Sequence, residues 1–174
     1  TVEQGPNGAI WALLALDCNP AYSFPKVKAG GNQNSREKLI DHLLSVQVPG
    51  GGWAMSGTKA DSDLTGMALQ ALAPYYHKSG YENVTTAIDQ ALDVLSAMQN
   101  DTGGFSTTGG QGPVETVESC AQVLTALCAL GIDPETDPRF IKGGKWMVEN
   151  LISYHLGNSG FMHVKSGSGN NGGG

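Results

Sequence analysis

Residues 47–53 read QVPGGGW, and 52 positions later residues 99–105 read QNDTGGF. Gln47, Gly51, Gly52 and Trp53 of the first stretch correspond to Gln99, Gly103, Gly104 and Phe105 of the second. A weaker third copy, HLGNSGF, ends at Phe161, with His155 in the Gln position and Ser159 in that of the first glycine. Self-similarity at a fixed period marks a repeat architecture, in which each unit buries its apolar face against the next. The residue types fit a structural seam. Glycine can take the left-handed conformation that ends a helix. The Gln amide carries donors and an acceptor for backbone groups left over in the turn. The aromatic ring then covers the turn and packs against the neighbouring unit. Nothing in this set is chemically reactive.

The segments between the turns repeat as well. WALLALDCNP (11–20) aligns with TALCALGIDP (125–134), and QALAP (70–74) aligns with the start of the latter. Ala12-Leu13, Ala71-Leu72 and Ala126-Leu127 thus hold equivalent positions. Two helix types alternate around them. One is amphipathic, with a single apolar stripe as a surface helix has: Leu39, Ile40, Leu43 and Leu44, then Val84, Ala87, Ile88, Ala91, Leu92, Leu95 and Met98. A third such helix is expected to begin at Asp137-Pro138, a cap followed by proline at the first helical position. It would carry Phe140, Ile141, Met147, Leu151 and Ile152. The other type, in GAIWALLAL, GMALQALA and CAQVLTALCAL, is apolar nearly all round and is expected to be buried on both sides. Inner apolar helices inside outer amphipathic ones describe an all-α fold, a segment of an α/α toroid with about three helical hairpins.

Spacing predicts an incomplete ring. Trp53 to Asp63 is ten residues and Phe105 to Glu118 is thirteen, and the same step from Phe161 reaches 171–174. The expected domain spans 1–165, followed by a flexible Gly/Ser/Asn-rich tail at 166–174. An open stack of repeats exposes apolar end faces, so the remainder of a toroid or a second copy of the chain is the expected partner.

Composition narrows the function classes. With 40% apolar and 15% charged residues over 174 positions, the chain is long enough to bury a core. The net charge of −6 and the lack of a Lys/Arg run argue against nucleic acid, whose phosphates demand a basic patch. The longest apolar run, Ala9 to Leu16, is too short to span a bilayer, so no membrane insertion is expected. Cys18, Cys120 and Cys128 lack CxxC spacing, and Cys120 and Cys128 read as small buried hydrophobes.

QVPGGGW and QNDTGGF resemble the repeats of the terpene cyclase and protein prenyltransferase superfamily of α/α toroids, over residues from about 5 to 161. The overall likeness is to bacterial secreted or surface-attached proteins with squalene-cyclase-like repeats, which are in turn similar to the helical domain of transcobalamin and intrinsic factor. The resemblance implies an extracellular or cell-surface setting, a binding or scaffolding role, and, on the transcobalamin side, a small apolar or corrinoid ligand.

The superfamily's catalytic motifs can be compared residue by residue. Class II cyclases use an Asp-x-Asp-Asp-Thr-Ala segment whose middle aspartate protonates an alkene. DSDLTG (61–66) places Asp61 and Asp63 on the first two aspartates, while Leu64 replaces the third and Gly66 the alanine. One flanking carboxyl is therefore missing. Asp and Ser ahead of an apolar helix also serve as an N-cap. Prenyltransferases hold zinc with Asp-x-Cys and a distant His. Here Glu118-Ser119-Cys120 stands at that place without a matching His, short of the three protein ligands zinc needs, so no metal is expected. His42, His77, His155 and His163 fall on outer helices or loops by this reading. No calcium loop, thioester stretch, phosphate loop or Ser-His-Asp arrangement occurs.

What remains is a polar rim. Gln4, Asp63 and Glu118 are repeat-equivalent, each at the start of an inner helix, with Asp61 and Glu115 beside them. Acids at helix N-termini are favoured by the macrodipole. As candidate ligand contacts this rim offers Trp53, Asp61, Asp63, Gln70, Glu115 and Glu118. The expected function is a non-catalytic binding or scaffolding module. The alternatives are a corrinoid-type carrier and a degenerate isoprenoid cyclase with Asp63 as its acid.

Overall fold

A computed structural model describes residues 5–107, 112–158 and 160–165. Gln4, Ser159 and the segment 166–174 lie outside the described residues, so the rim position of Gln4 and the expected tail belong to that part of the chain. Among the described residues there are six α-helices and one two-stranded sheet: α1 (Asn7–Asp17), α2 (Arg36–Ser45), α3 (Ser62–Leu72), α4 (Glu82–Met98), β1 (Phe105–Thr107), β2 (Val114–Thr116), α5 (Val117–Ala129) and α6 (Met147–Ile152).

The packing order follows the repeat. α1 packs on α3, and α3 packs most extensively on α5, giving a row of inner helices. α2 packs on α1 and α4, α4 on α3, and α6 on α5, so the amphipathic helices form a second layer. The stripe of α4 (Val84, Ala87, Ile88, Ala91, Leu92 and Leu95) is wholly buried, as a three-to-four spacing on a surface helix requires. Between the layers, one cluster joins Ile10, Leu13, Leu43, Leu69, Leu72, Val123 and Leu127. The inner helices come close because Gly66 has no side chain. A Cβ there would lie 3.1 Å from the carbonyl of Gln122 in α5.

The repeat turns share their hydrogen bonds. Val48, Asn100 and Leu156 each donate a backbone N–H to the carbonyl four residues on, at Gly52, Gly104 and Gly160, over 3.0, 2.9 and 2.9 Å. Gly51 needs its glycine twice over: its φ is +111°, and a Cβ would sit 2.8 Å from the Gln90 carbonyl of α4. Gln47 donates to the Ala87 carbonyl of α4 at 2.9 Å, and Gln99 to those of Gly103 and Phe140 at 2.9 and 3.0 Å. The motif thus ties each turn to the next outer segment.

Four expectations need correction. The fold is mostly helical rather than purely so, because β1 and β2 pair antiparallel with Phe105 opposite Thr116. The third outer helix is broken. Asp137-Pro138 opens only a 3-10 turn (Pro138–Phe140), and the chain then folds back through Gly143 and Gly144, both at positive φ, before α6 begins. α1 is not buried on both sides: Ala9, Ile10 and Leu13 are covered, whereas Trp11 is 58% exposed. Cys128 is exposed, while Cys120 is buried.

Candidate functional site

The rim at the start of the inner helices is built by two caps. Asp61 has an extended backbone, which turns its carboxylate back to accept the N–H groups of Asp63 and Leu64, both at 3.0 Å. Thr116, its counterpart before α5, accepts the Ser119 N–H at 3.1 Å and shares a hydroxyl contact with Ser119 at 2.8 Å. Asp63 and Glu118 therefore stand second in their helices, where the positive end of the dipole favours a carboxylate.

Their surroundings differ. Asp63 is half-buried, and burial pushes its carboxyl above the ordinary range. Hydrogen bonds from Ser119 and Ser62 oppose this, and the charges of Asp61 and Glu118 add to it. Glu118 is exposed and meets the imidazole of His163 at 2.8 Å. The Val117 N–H also reaches the His163 carbonyl, at 3.2 Å, so the segment around His163 lies against the start of α5.

Glu115, in β2, is the most heavily bonded carboxylate of the rim. Asn150 and Tyr154 donate to one oxygen at 2.9 and 3.0 Å, and Asn100 donates to the other at 2.8 Å, joined there by the Thr102 hydroxyl. Burial drives this carboxyl up, but the donors of Thr102, Asn150, Asn100 and Tyr154 outweigh it, leaving it below the usual range. Its partners come from the second repeat turn, from α6 (Asn150) and from Tyr154 just after it, so the residue fastens two units together.

The other candidates sit apart from this cluster. Trp53 is completely buried: its indole N–H goes to the Leu43 carbonyl at 2.8 Å, and its backbone N–H to the Thr65 hydroxyl at 2.9 Å. Gln70 lies in the last turn of α3 and donates to Gln122 across the α3–α5 contact at 2.9 Å. Cys120 donates to the Met147 carbonyl at 3.3 Å, and burial pushes its thiol up to about 12, away from the thiolate a metal would require. Among the described residues no group of three or more His, Cys, Asp or Glu is placed to hold a metal ion.

A cleft of about 330 Å³ opens beside Asp61, lined by Ala54, Met55, Ser56, Lys59 and Leu64 as well. Lys59 and Met55 follow the first repeat turn in a stretch without periodicity, so no local pattern singles them out. At the other end of the inner helices, Asp17 bonds Arg36 at 2.6 Å and the Tyr75 hydroxyl at 2.7 Å. No helix among the described residues is long and apolar enough to cross a membrane.

Comparisons with known proteins return no match to a family model, a curated protein or a solved structure.

Proposed function

We propose that the chain is a non-catalytic binding or scaffolding module of a larger secreted or surface bacterial protein, built as a segment of an α/α toroid. The toroid and the setting rest on the resemblance of the Gln-x3-Gly-Gly-aromatic repeats. The non-catalytic reading is supported by one observation: two acids of the rim, Asp61 and Glu115, are used to hold the fold. Asp61 caps α3 through two backbone N–H groups, and Glu115 accepts from four side chains. Carboxylates held in this way act as fixed acceptors, and the bonds that fix them would be lost in proton transfer.

A second reading has one observation in its favour. Asp63 is half-buried with its carboxyl raised, the direction in which an acid catalyst is shifted. In that reading the chain is a cyclase-like enzyme with Asp63 as proton donor. Incubation with squalene, followed by analysis for cyclic products, separates the two. The binding-module reading expects squalene to be recovered unchanged. Cyclic product formed by the native chain and lost in Asp63→Asn would replace it with the enzyme.

A further inference from the structure

The far ends of α1 and α3, away from the rim, hold a second cleft of about 380 Å³, within the range of roughly 300–1,000 Å³ typical of small-molecule sites. Pro20, Pro74, Tyr75 and Tyr81 give it apolar and aromatic walls, and Arg36 and Lys78 bring two cations to it. A short turn sets Lys78 in place. The Lys78 N–H returns to the Tyr75 carbonyl at 3.2 Å, and the Tyr81 N–H to the Lys78 carbonyl at 3.0 Å. Before Lys78, His77 takes a φ of +55°, a left-handed conformation uncommon outside glycine, and donates its backbone N–H to the Thr85 hydroxyl at 3.0 Å. The Tyr75 and Tyr81 rings stand 5.0 Å apart, and the Lys78 ammonium lies 5.2 Å from the centre of each. The ring faces attract the cation but do not neutralise it. Among the described residues Lys78 makes no ion pair.

The hydrogen bonds of the cleft give the sign of what it can hold. Each Asp17 oxygen already accepts, one from Arg36 Nε at 2.6 Å and the other from the Tyr75 hydroxyl at 2.7 Å. Arg36 uses Nη2 on the Leu16 and Tyr22 carbonyls, at 2.7 and 3.0 Å. Glu37, at the edge, accepts from its own backbone N–H and from the Ser35 hydroxyl, which hold its carboxyl below the ordinary range. The groups left over are donors: the Lys78 ammonium, the remaining guanidinium nitrogen of Arg36 and the Tyr81 hydroxyl. They call for an anion. Asp17 and Glu37 line the same cleft, so a doubly charged phosphate is repelled, whereas a single carboxylate meets one unpaired ammonium. Tyrosine and proline faces suit a flat apolar body beside that charge.

We propose that this cleft binds a small monocarboxylate with a flat apolar body, its carboxylate on Lys78 and its body against the proline and Tyr81 walls. The site is separate from the rim, so it goes beyond the module reading and does not depend on it.

Titration of the isotope-labelled intact chain with sodium benzoate, followed by amide chemical shifts, tests this beside benzamide and inorganic phosphate at equal ionic strength. Benzoate is expected to bind saturably, with shifts at 17–20, 36 and 74–81. Benzamide and phosphate are expected to bind about tenfold more weakly, or less. Lys78 is exposed, so Lys78→Gln should fold, which circular dichroism checks, and it should weaken benzoate about tenfold or more. Lys59→Gln, at the cleft beside Asp61, should leave benzoate binding unchanged. Absence of saturable benzoate binding overturns the inference. So does binding that benzamide or phosphate matches, that Lys78→Gln leaves intact, that Lys59→Gln weakens as much, or that shifts the amides of the rim instead. Each of these results leaves the choice between module and enzyme to the squalene assay.

Discussion

Trp53 and Phe161 stand at equivalent places in two copies of one turn, and both turns close with the same backbone hydrogen bond. One ring is sealed in the core and the other is half in solvent. Local sequence sets the turn, but burial is conferred by the unit that comes next. In a repeat protein a residue's energetic weight therefore belongs to an interface, and identical motifs need not contribute equally.

Mutation of the two rings probes this difference most strongly. Trp53→Ala leaves a cavity and removes the indole bond to the Leu43 carbonyl, and should cost about 3–5 kcal/mol in urea unfolding. Phe161→Ala should cost no more than about 1 kcal/mol. Equal losses at the two sites would break the comparison.

The second-largest effect is expected at Glu115. Glu115→Gln turns an amide N–H toward groups that themselves donate, and should cost about 1–3 kcal/mol. The pH dependence has a definite sign. A carboxyl held below its ordinary range stabilises the fold above the unfolded-state pKa, and that contribution is lost as pH falls through the folded one. Acid titration of stability should therefore be shallower in Glu115→Gln than in the native chain. Identical slopes would show that the carboxylate contributes nothing to the pH dependence.

The helix caps come next. Asp61→Ala and Thr116→Ala should each cost about 1 kcal/mol, and by similar amounts, since the two residues do the same work in successive units. Thermal denaturation of the pair checks this. A loss at Asp61 far above that at Thr116 would show that the first rim position does more than cap.

The smallest effect is expected at Asp63, and it has the opposite sign. A carboxyl raised in the folded state contributes stability below its unfolded pKa that is lost as pH rises through the folded value. At neutral pH Asp63→Asn should therefore raise the melting temperature slightly. A fall would mean that the charged form is held by interactions stronger than its burial.

Much of this fold was legible in the sequence, because period and apolar spacing are properties of the chain itself. The three turns, the buried stripe of α4 and the capping role of Asp61 all follow from residues close together along it. What escaped depends on distant partners. Glu115 finds its donors at Asn100, Thr102, Asn150 and Tyr154, positions that no local pattern connects. The β1–β2 hairpin interrupts a helical pattern with strands of only three residues, too short to show alternation. Apolar composition also misled at Trp11 and Cys128, which lie on apolar helices yet are exposed. The broken third outer helix follows from Gly143 and Gly144, whose positive φ outweighs the apolar spacing around them.

The Glu115 carboxylate has a consequence for how the molecule comes apart. Its donors sit in the second turn and in or just after α6, on both sides of the hairpin that carries it. Opening the hairpin strands buried donors in two places, and freeing α6 strands the carboxylate. These three segments are therefore expected to exchange their amide hydrogens as one cooperative unit, while exposed stretches such as residues 19–34 open on their own.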